Sequence, residues 1–156
     1  MPHSIKWFSV LAALCIGCSS AAPSAAPAPA PGAKSSTMPE FLVPSSRNSP
    51  FSGVVRAGNL LFVAGQIGVD SAKSGIAGET TSAMSKIGQL LQRAGSGLDH
   101  VAKCTVFLAD MKDWAAMNEA YIKFFPSDKR PARSSFGTTG IAQGGRVEIE
   151  CIATTE

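Results

Sequence analysis

The stretch that decides the fold is SGVVRAGNLLFVAGQIG, residues 52–68. Two apolar runs flank Ala57, Gly58 and Asn59, and glycine and asparagine tolerate the positive φ angles of a tight hairpin turn. The run over residues 60–64 is continuously apolar, which is typical of a central strand covered on both faces. The stretch therefore predicts an antiparallel pair of strands near the start of a folded domain.

Helical and β patterns alternate after this hairpin. Residues 79–94 have apolar side chains at helical spacing, with Thr80 or Thr81 as the predicted N-cap. A second helix is predicted to begin after Asp113, its cap, and to stop before Pro126. Further strands are predicted over 102–109, directly after Pro131, and over 146–154. The apolar stripes of the helices are, in the first, Met84, Ile87, Leu90, Leu91 and Ala94 and, in the second, Trp114, Met117, Tyr121 and Phe124.

The element order β-β-α-β-α-β-β predicts an α+β domain, in which both helices cover one face of a mixed sheet. No third helix is predicted in residues 44–156, so nothing within the chain would cover the other face. A second copy of the chain is the simplest cover. The element count therefore predicts a homo-oligomer.

The N-terminal residues 1–17 have the pattern of a signal peptide. Lys6 precedes an apolar run over 7–16, which is shorter than the roughly 20 residues that a spanning helix needs. The small residue Gly17 followed by Cys18 resembles a bacterial lipoprotein signal, in which Cys18 would be lipidated, although Cys15 stands where leucine is usual. The alternative is an ordinary signal that is cut further on. This pattern predicts an exported, periplasmic protein that touches a membrane only through an N-terminal lipid anchor.

Residues 18–43 are rich in Ala, Pro and Ser and predict an extended linker, which leaves 44–156 as the folded domain. The net charge of +3 is too small and too scattered to favour a nucleic-acid partner. With His3 and His100 as the only histidines, a His-based metal site or catalytic triad is nearly excluded, and no phosphate-binding glycine loop is present. Cys104 and Cys151 could pair, but the favoured interpretation is two buried, unpaired side chains.

Two charged residues are candidates for chemistry. Glu148 lies in the middle of an alternating strand, where it could simply face solvent, pair with an arginine, or sit partly buried at an interface and move a proton. Arg133 could be a solvated cation or could bind a carboxylate through two parallel hydrogen bonds. The residues alone leave these alternatives open.

A set of sequence segments in fixed order favours one interpretation of each of these two residues. RAGNLLFVAGQI, KCTVFLADM, MNEAY, RPARSS and VEIECIA together resemble the RidA/YjgF family of enamine and imine deaminases over nearly all of residues 50–153. The resemblance implies a chorismate-mutase-like α+β fold, a homotrimer and sites in clefts between subunits. It further implies that Arg133 binds a substrate carboxylate and that Glu148 positions or activates water, with Asn118 and Gly65 near the substrate.

Three departures accompany the resemblance. Phe51 stands where the family's deaminases usually have tyrosine, Ser135 where a cysteine is frequent, and Ala64 where a serine is frequent. The implied activity is hydrolysis of a 2-imino acid to a 2-oxo acid and ammonia, without a cofactor. The alternative is a non-catalytic trimer of the same family that binds small carboxylates or acts as a chaperone, and a ribonuclease role is disfavoured by the low charge.

Overall fold

The computed structural model describes residues 38–44 and 48–155, and its centre is a single six-stranded sheet. The predicted leader and most of the predicted linker, with Cys18, lie outside the described residues. No helix in the described ranges has the length and apolar character to cross a membrane. The strands are β1 (Glu40–Pro44), β2 (Ser52–Ala57), β3 (Leu60–Ile67), β4 (Val101–Leu108), β5 (Ala132–Gly137) and β6 (Val147–Thr154), and the α-helices are α1 (Gly75–Arg93) and α2 (Trp114–Tyr121).

The sheet has the strand order β1-β2-β3-β6-β4-β5. β4 and β5 are parallel, and every other neighbouring pair is antiparallel. The hairpin of β2 and β3 turns at Gly58, whose φ of 63° lies in the left-handed region that favours glycine. The predicted mixed sheet and the predicted hairpin are confirmed.

The core lies between the sheet and the helices. Val147, Ile149 and Cys151 alternate along β6 and are buried against the helix layer, as the sequence pattern predicts. Met84 and Ile87 of α1 are fully buried on the same side. The α+β class, with both helices on one face, is thereby confirmed.

The opposite sheet face is open in the single chain. Phe62 of β3 and Phe136 of β5 are 42% and 53% exposed there, and Phe136 stacks on Phe107 with the ring centroids 6.3 Å apart. Exposed aromatic side chains of this kind mark a surface that a partner can cover. The expected uncovered face is therefore present.

The start of α1 differs from the prediction. The helix begins at Gly75 and not at a Thr cap, because residues 69–74 already form a 3-10 turn that leads into it. The hydroxyls of Thr80 and Thr81 instead donate to the carbonyl oxygens one turn earlier, those of Ile76 and Ala77, at 2.7 and 2.8 Å. Side-chain hydrogen bonds to the preceding turn are a second use of threonine in helices.

Two details of α2 also differ. Asp113 precedes the helix but forms no capping hydrogen bond, because its carboxylate accepts a bidentate pair from Arg146, at 2.9 Å from Nε. Trp114 is 45% exposed and does not belong to the buried stripe, whereas Met117 and Tyr121 are buried.

β1 was not predicted from the sequence, which assigned residues 40–43 to the linker. Its register with β2 places Glu40 opposite Arg56, and the two side chains form a salt bridge. Val43 of the same strand is 1% exposed. Pairing with β2 and burial of one valine thus order a segment that directly follows the Ala/Pro/Ser-rich stretch.

Cys104 and Cys151 form a disulfide, so the favoured interpretation of unpaired cysteines is wrong. The two residues are direct partners in the antiparallel register of β4 and β6, with their Cα atoms 4.1 Å apart. Both side chains point into the core and are almost completely buried. Sequence alone could not show this pairing, because it depends on the register of strands that lie far apart in the chain.

Candidate functional site

Glu148 lines a cleft at the end of β2, which we call the Glu148 cleft. Its volume is about 480 Å³, and the residues that define it here are Phe51, Gly65, Lys86, Arg93, Gln143 and Glu148. Glu148 alternates with the buried Val147 and Ile149, so its side chain leaves the sheet on the face away from the helices.

The carboxylate of Glu148 rests directly against the backbone of Gly65. A Cβ atom at position 65 would overlap Oε1 of Glu148, so glycine is required for this placement. The register of β3 with β6 is interrupted between Val63 and Gln66, and this irregularity brings the Gly65 backbone beneath the acid. Within the described residues, the Glu148 carboxylate accepts no hydrogen bond and forms no ion pair.

The remainder of the Glu148 cleft has mixed charge. The Lys86 ammonium donates to the carbonyl of Ile67 and to Asp70, each at 2.8 Å, and is therefore engaged. This contact is the main reason that the pKa of the Asp70 carboxyl is lowered. Gln143 has a φ of 59°, the one positive value for a non-glycine residue in the described part of the chain.

Arg133 lines a second cavity, which we call the Arg133 pocket. Its volume is about 380 Å³, and the residues that define it here are Trp114, Asn118, Tyr121, Arg130, Pro131 and Arg133. The Arg133 guanidinium stacks over the ring of Tyr121, with Cζ 4.7 Å from the ring centroid, and Nη1 approaches Sδ of Met117 at 3.8 Å. Its packing against α2 leaves this guanidinium without a carboxylate partner among the described residues.

Three buried polar atoms near Arg133 also have no hydrogen-bond partner in the described part of the chain. They are Oδ1 of Asn118, the hydroxyl of Tyr121 and Oγ of Ser135. Burial raises the pKa of Tyr121 to about 12, and the positive charge of Arg133 opposes this rise. Buried polar atoms are normally satisfied, so such a group of unpaired atoms indicates a place that a ligand can complete.

The structure sorts the sequence-predicted site residues into two sets. Phe51, Gly65 and Glu148 meet in the Glu148 cleft, while Asn118 and Arg133 line the Arg133 pocket and Ser135 follows two residues along β5. The two sets are separate, since Arg133 packs on the helix α2, whereas the Glu148 cleft is lined by residues of β3, β6 and α1. One chain does not bring Arg133 and Glu148 into one cavity.

Sequence reasoning missed three contributors to these cavities. Tyr121 was assigned only to an apolar stripe of the second helix, and Arg130 was not chosen as a site residue. The sequence around Gln143 contains no motif that indicates a functional site. The pair of arginines around Pro131 was visible in the sequence and could have pointed to Arg130. No group of three or more His, Cys, Asp or Glu side chains in the described residues is arranged to hold a metal ion.

Comparison with known proteins assigns the class that this fold and these residues suggest. The model of the family described as Endoribonuclease L-PSP matches residues 44–155. A 2-iminobutanoate/2-iminopropanoate deaminase from Capra hircus is 38% identical over 109 residues, which covers 67% of this chain and 79% of the relative. The Arabidopsis thaliana protein named Reactive Intermediate Deaminase A, chloroplastic, is 34% identical, covering 67% of this chain and 58% of the relative. The chain belongs to the RidA/YjgF family.

Solved structures agree with this assignment at the level of the fold. A Mycobacterium tuberculosis member of the YjgF/YER057c/UK114 family superposes with a TM-score of 0.66 at 29% identity, covering 76% of this chain and all of that one (100%). Yeast Mmf1 gives a TM-score of 0.66 at 30% identity, covering 75% of this chain and 95% of that one.

The prediction of an exported, periplasmic lipoprotein is wrong. The relatives that overturn it include mammalian deaminases and a chloroplast protein, and none of their names describes an exported or lipid-anchored protein. The prediction depended on a short apolar run and on one cysteine, Cys18, in a sequence context that matched the lipoprotein pattern imperfectly.

Proposed function

We propose that the protein hydrolyses 2-imino acids, and the enamines that tautomerise to them, to 2-oxo acids and ammonia. Family membership and the names of the relatives support the reaction class. The observation that carries the proposal is the unpaired carboxylate of Glu148, held against Gly65 in an open cleft of about 480 Å³. The unpaired guanidinium of Arg133 supplies the complementary half.

The complete site is formed between copies of the chain. Arg133 and Glu148 line different cavities of one chain, so a substrate that touches both needs Arg133 of one protomer and Glu148 of its neighbour. The open face, with Phe62 and Phe136, provides apolar surface for the association. A closed ring of three copies would use this arrangement three times.

Each residue then has a simple role in the reaction. Arg133 binds the substrate carboxylate through two parallel hydrogen bonds, and Asn118 and Ser135 contribute polar contacts beside it. Glu148 accepts a proton from a water molecule while the water oxygen attacks the C=N carbon, and it returns this proton to the nitrogen to give a neutral carbinolamine. Glu148 then accepts the hydroxyl proton of the carbinolamine and passes it to the amino nitrogen, as the C–N bond breaks to release ammonia and the 2-oxo acid. The balance is one imino acid and one water to one oxo acid and one ammonia.

The backbone of Gly65 completes the Glu148 side of the site. Because it lacks a side chain, a small substrate can approach both the Glu148 carboxylate and the main chain at this point. Phe51, which is 57% exposed in the same cleft, offers the substrate an apolar wall without a hydroxyl. General base catalysis of this kind contributes about 10²–10⁴-fold.

Phe51 also motivates a second candidate, a trimer that binds small carboxylates without turnover. A phenylalanine cannot hold water or substrate through a hydrogen bond, so Glu148 would be the only side-chain group for that task among the sequence-predicted residues of the Glu148 cleft. Measured hydrolysis of an imino acid that depends on Glu148 would exclude this candidate.

A complementation experiment tests both the activity and the shared site. Arg133→Ala and Glu148→Gln are each purified and assayed on 2-iminobutanoate generated in situ by an amino-acid oxidase, and we expect each to be inactive. The two variants are then unfolded, mixed in equal amounts and refolded together. Every mixed trimer would contain one junction with both intact residues, so about a quarter of the wild-type activity should return.

The controls separate the possible failures. Each variant refolded alone should stay inactive, and the wild type refolded alone gives the reference activity. No activity returning to a mixture of correctly folded trimers would contradict a site shared between copies. No activity in the wild type would contradict the proposed function itself.

A further inference from the structure

The Arg133 pocket contains a second guanidinium, that of Arg130. No aspartate or glutamate lines the pocket with them, and within the described residues neither arginine forms an ion pair. Arg56 and Arg146, by contrast, are each paired with a carboxylate of the same chain, those of Glu40 and Asp113, while Arg93, which is also unpaired among the described residues, lines the Glu148 cleft. The two arginines around Pro131 thus form a local excess of positive charge.

The backbone between them limits how far the two guanidiniums can separate. Pro131 has a fixed φ angle and holds the preceding residue, Arg130, in an extended conformation. Arg133 is anchored independently by its stacking on Tyr121. Both side chains therefore line one cavity of about 380 Å³.

The uncharged groups of the pocket are also unsatisfied. The Tyr121 hydroxyl is unpartnered although the residue is only 3% exposed, and Asn118 Oδ1 is unpartnered as well. The Tyr121 hydroxyl can donate to an oxygen of an anion, whereas Oδ1 of Asn118 can only accept a hydrogen bond. Two like charges without a counter-ion repel each other, so a ligand with two anionic groups would balance the two guanidiniums better than one with a single carboxylate.

We propose that the Arg133 pocket selects 2-imino acids that carry a second carboxylate, and that Arg130 is the residue that recognises it. This inference rests on the proposed function for the role of Arg133 as the primary carboxylate ligand. The substrate class is that of acidic 2-imino acids, such as the imino acids of the aspartate and glutamate skeletons. An oxidation or elimination that acts on acidic amino acids would supply them.

The test uses binding, so that it does not depend on turnover. The probes are 2-oxoglutarate and 2-oxopentanoate, which have the same chain length and differ in the distal carboxylate. Their affinities for the full-length oligomer are measured by titration calorimetry. We expect 2-oxoglutarate to bind about tenfold more tightly, in line with one charge-assisted contact at a partly exposed site.

Two charge-matched variants locate the effect. Arg130→Gln should abolish the preference for 2-oxoglutarate and leave the affinity for 2-oxopentanoate unchanged. Lys129→Gln removes the same charge from the neighbouring residue, which does not line this pocket, and should keep the preference. Because Arg130 and Lys129 are both exposed, neither change should affect folding.

The outcomes are distinct from those of the proposed function. Equal affinity for the two probes, failure of 2-oxoglutarate to bind, or equal loss of preference in both variants would overturn the role of Arg130. Failure of the wild type to hydrolyse 2-iminobutanoate, with the Arg130-dependent preference intact, would overturn the proposed reaction and leave the pocket's selectivity established.

Discussion

The Glu148 cleft and the Arg133 pocket differ in almost every physical respect. In the first, the unpaired carboxylate of Glu148 lies against the backbone of Gly65, and Lys86 already forms a salt bridge with Asp70. The second holds two arginines, an aromatic platform and buried polar atoms without partners. The Glu148 cleft holds the candidate base without Arg133, and the Arg133 pocket has no carboxylate side chain. The difference is what the proposed sharing of one site between copies of the chain would explain.

Among the tests of this difference between the two cavities, the largest loss of activity is expected from a substitution of Glu148. Replacing Glu148 by Gln keeps the shape and removes the base, so the rate of imino-acid hydrolysis should fall by about 10²–10⁴-fold while folding is unchanged. Product formation from 2-iminobutanoate measures the rate, and circular dichroism measures the fold. Glu150→Gln is the matched control, since Glu150 lies on the same face of β6 but does not line the Glu148 cleft.

Equal losses in the two variants would mean that negative charge on this face matters in general. The activity would then not depend specifically on the carboxylate in the Glu148 cleft.

The disulfide links the two halves covalently, because it joins β6, which carries Glu148, to β4, which pairs with the strand of Arg133. It closes a loop with a sequence separation of 47 residues, for which the chain-entropy model gives about 4 kcal/mol of stabilisation. Replacing Cys104 and Cys151 together by Ala should therefore lower the free energy of unfolding by about that amount. Denaturant unfolding at a fixed protein concentration measures this change.

Reduced wild-type protein is the control for this prediction, since it keeps both sulfur atoms and loses only the bond. A stability that is unchanged in both samples would show that the pairing of β4 and β6 does not depend on the bond.

Gly65 and Gly68 provide a matched pair that tests how the Glu148 cleft is built. A Cβ at Gly65 would meet the carboxylate end of Glu148, which can move, whereas a Cβ at Gly68 would meet the backbone of Glu79, which cannot. Gly65→Ala should therefore reduce activity about tenfold or more by displacing the carboxylate, with little change in stability. Gly68→Ala should mainly destabilise the fold, by about 1–3 kcal/mol.

Activity assays and thermal unfolding of both variants separate the two effects. If Gly65→Ala retained full activity, the contact between Glu148 and Gly65 would have no functional meaning.

Much of the fold could be predicted because its signals are local. The turn at Gly58 and the strict alternation of β6 each depend on a few neighbouring residues, and both were read correctly. β1 could not be predicted, because it is ordered by Arg56 and by burial of Val43 against distant parts of the chain. The disulfide was missed for the same reason, since only the register of β4 with β6 shows that Cys104 and Cys151 meet.

Candidate site residues could be chosen from the sequence, but their arrangement could not be predicted. Arg133 and Glu148 were selected through the resemblance to a family, and alternation along β6 already implied that Glu148 leaves the core face. That Arg133 packs on α2 follows from its contact with Tyr121, which no pattern in the sequence shows. Tyr121 itself could not be identified, because its ring fits an apolar stripe and only the structure shows that its hydroxyl is unsatisfied.

The smallest expected effect concerns that hydroxyl. Burial raises the pKa of Tyr121 to about 12, from 10.0 for an ordinary tyrosine, so the folded protein keeps the proton that the unfolded chain releases first. The stabilisation from this group is fully present below pH 10.0 and is lost as the pH rises towards about 12. Tyr121→Phe should therefore reduce the loss of stability in this alkaline window, and the difference between the two proteins isolates Tyr121 from lysines that titrate nearby. Urea unfolding at a series of pH values measures it.

At neutral pH the same variant sharpens the comparison between the cavities. Removing a buried hydroxyl that has no partner should leave the stability of the ligand-free protein unchanged or raise its free energy of unfolding by about 1 kcal/mol. The ring that supports Arg133 remains, so a weaker affinity for 2-oxo acids would show that the hydroxyl contacts the ligand. If Tyr121→Phe instead destabilised the ligand-free oligomer by as much as a lost hydrogen bond, the hydroxyl would have a protein partner in a neighbouring copy, and the Arg133 pocket would be closed by assembly before any ligand arrived.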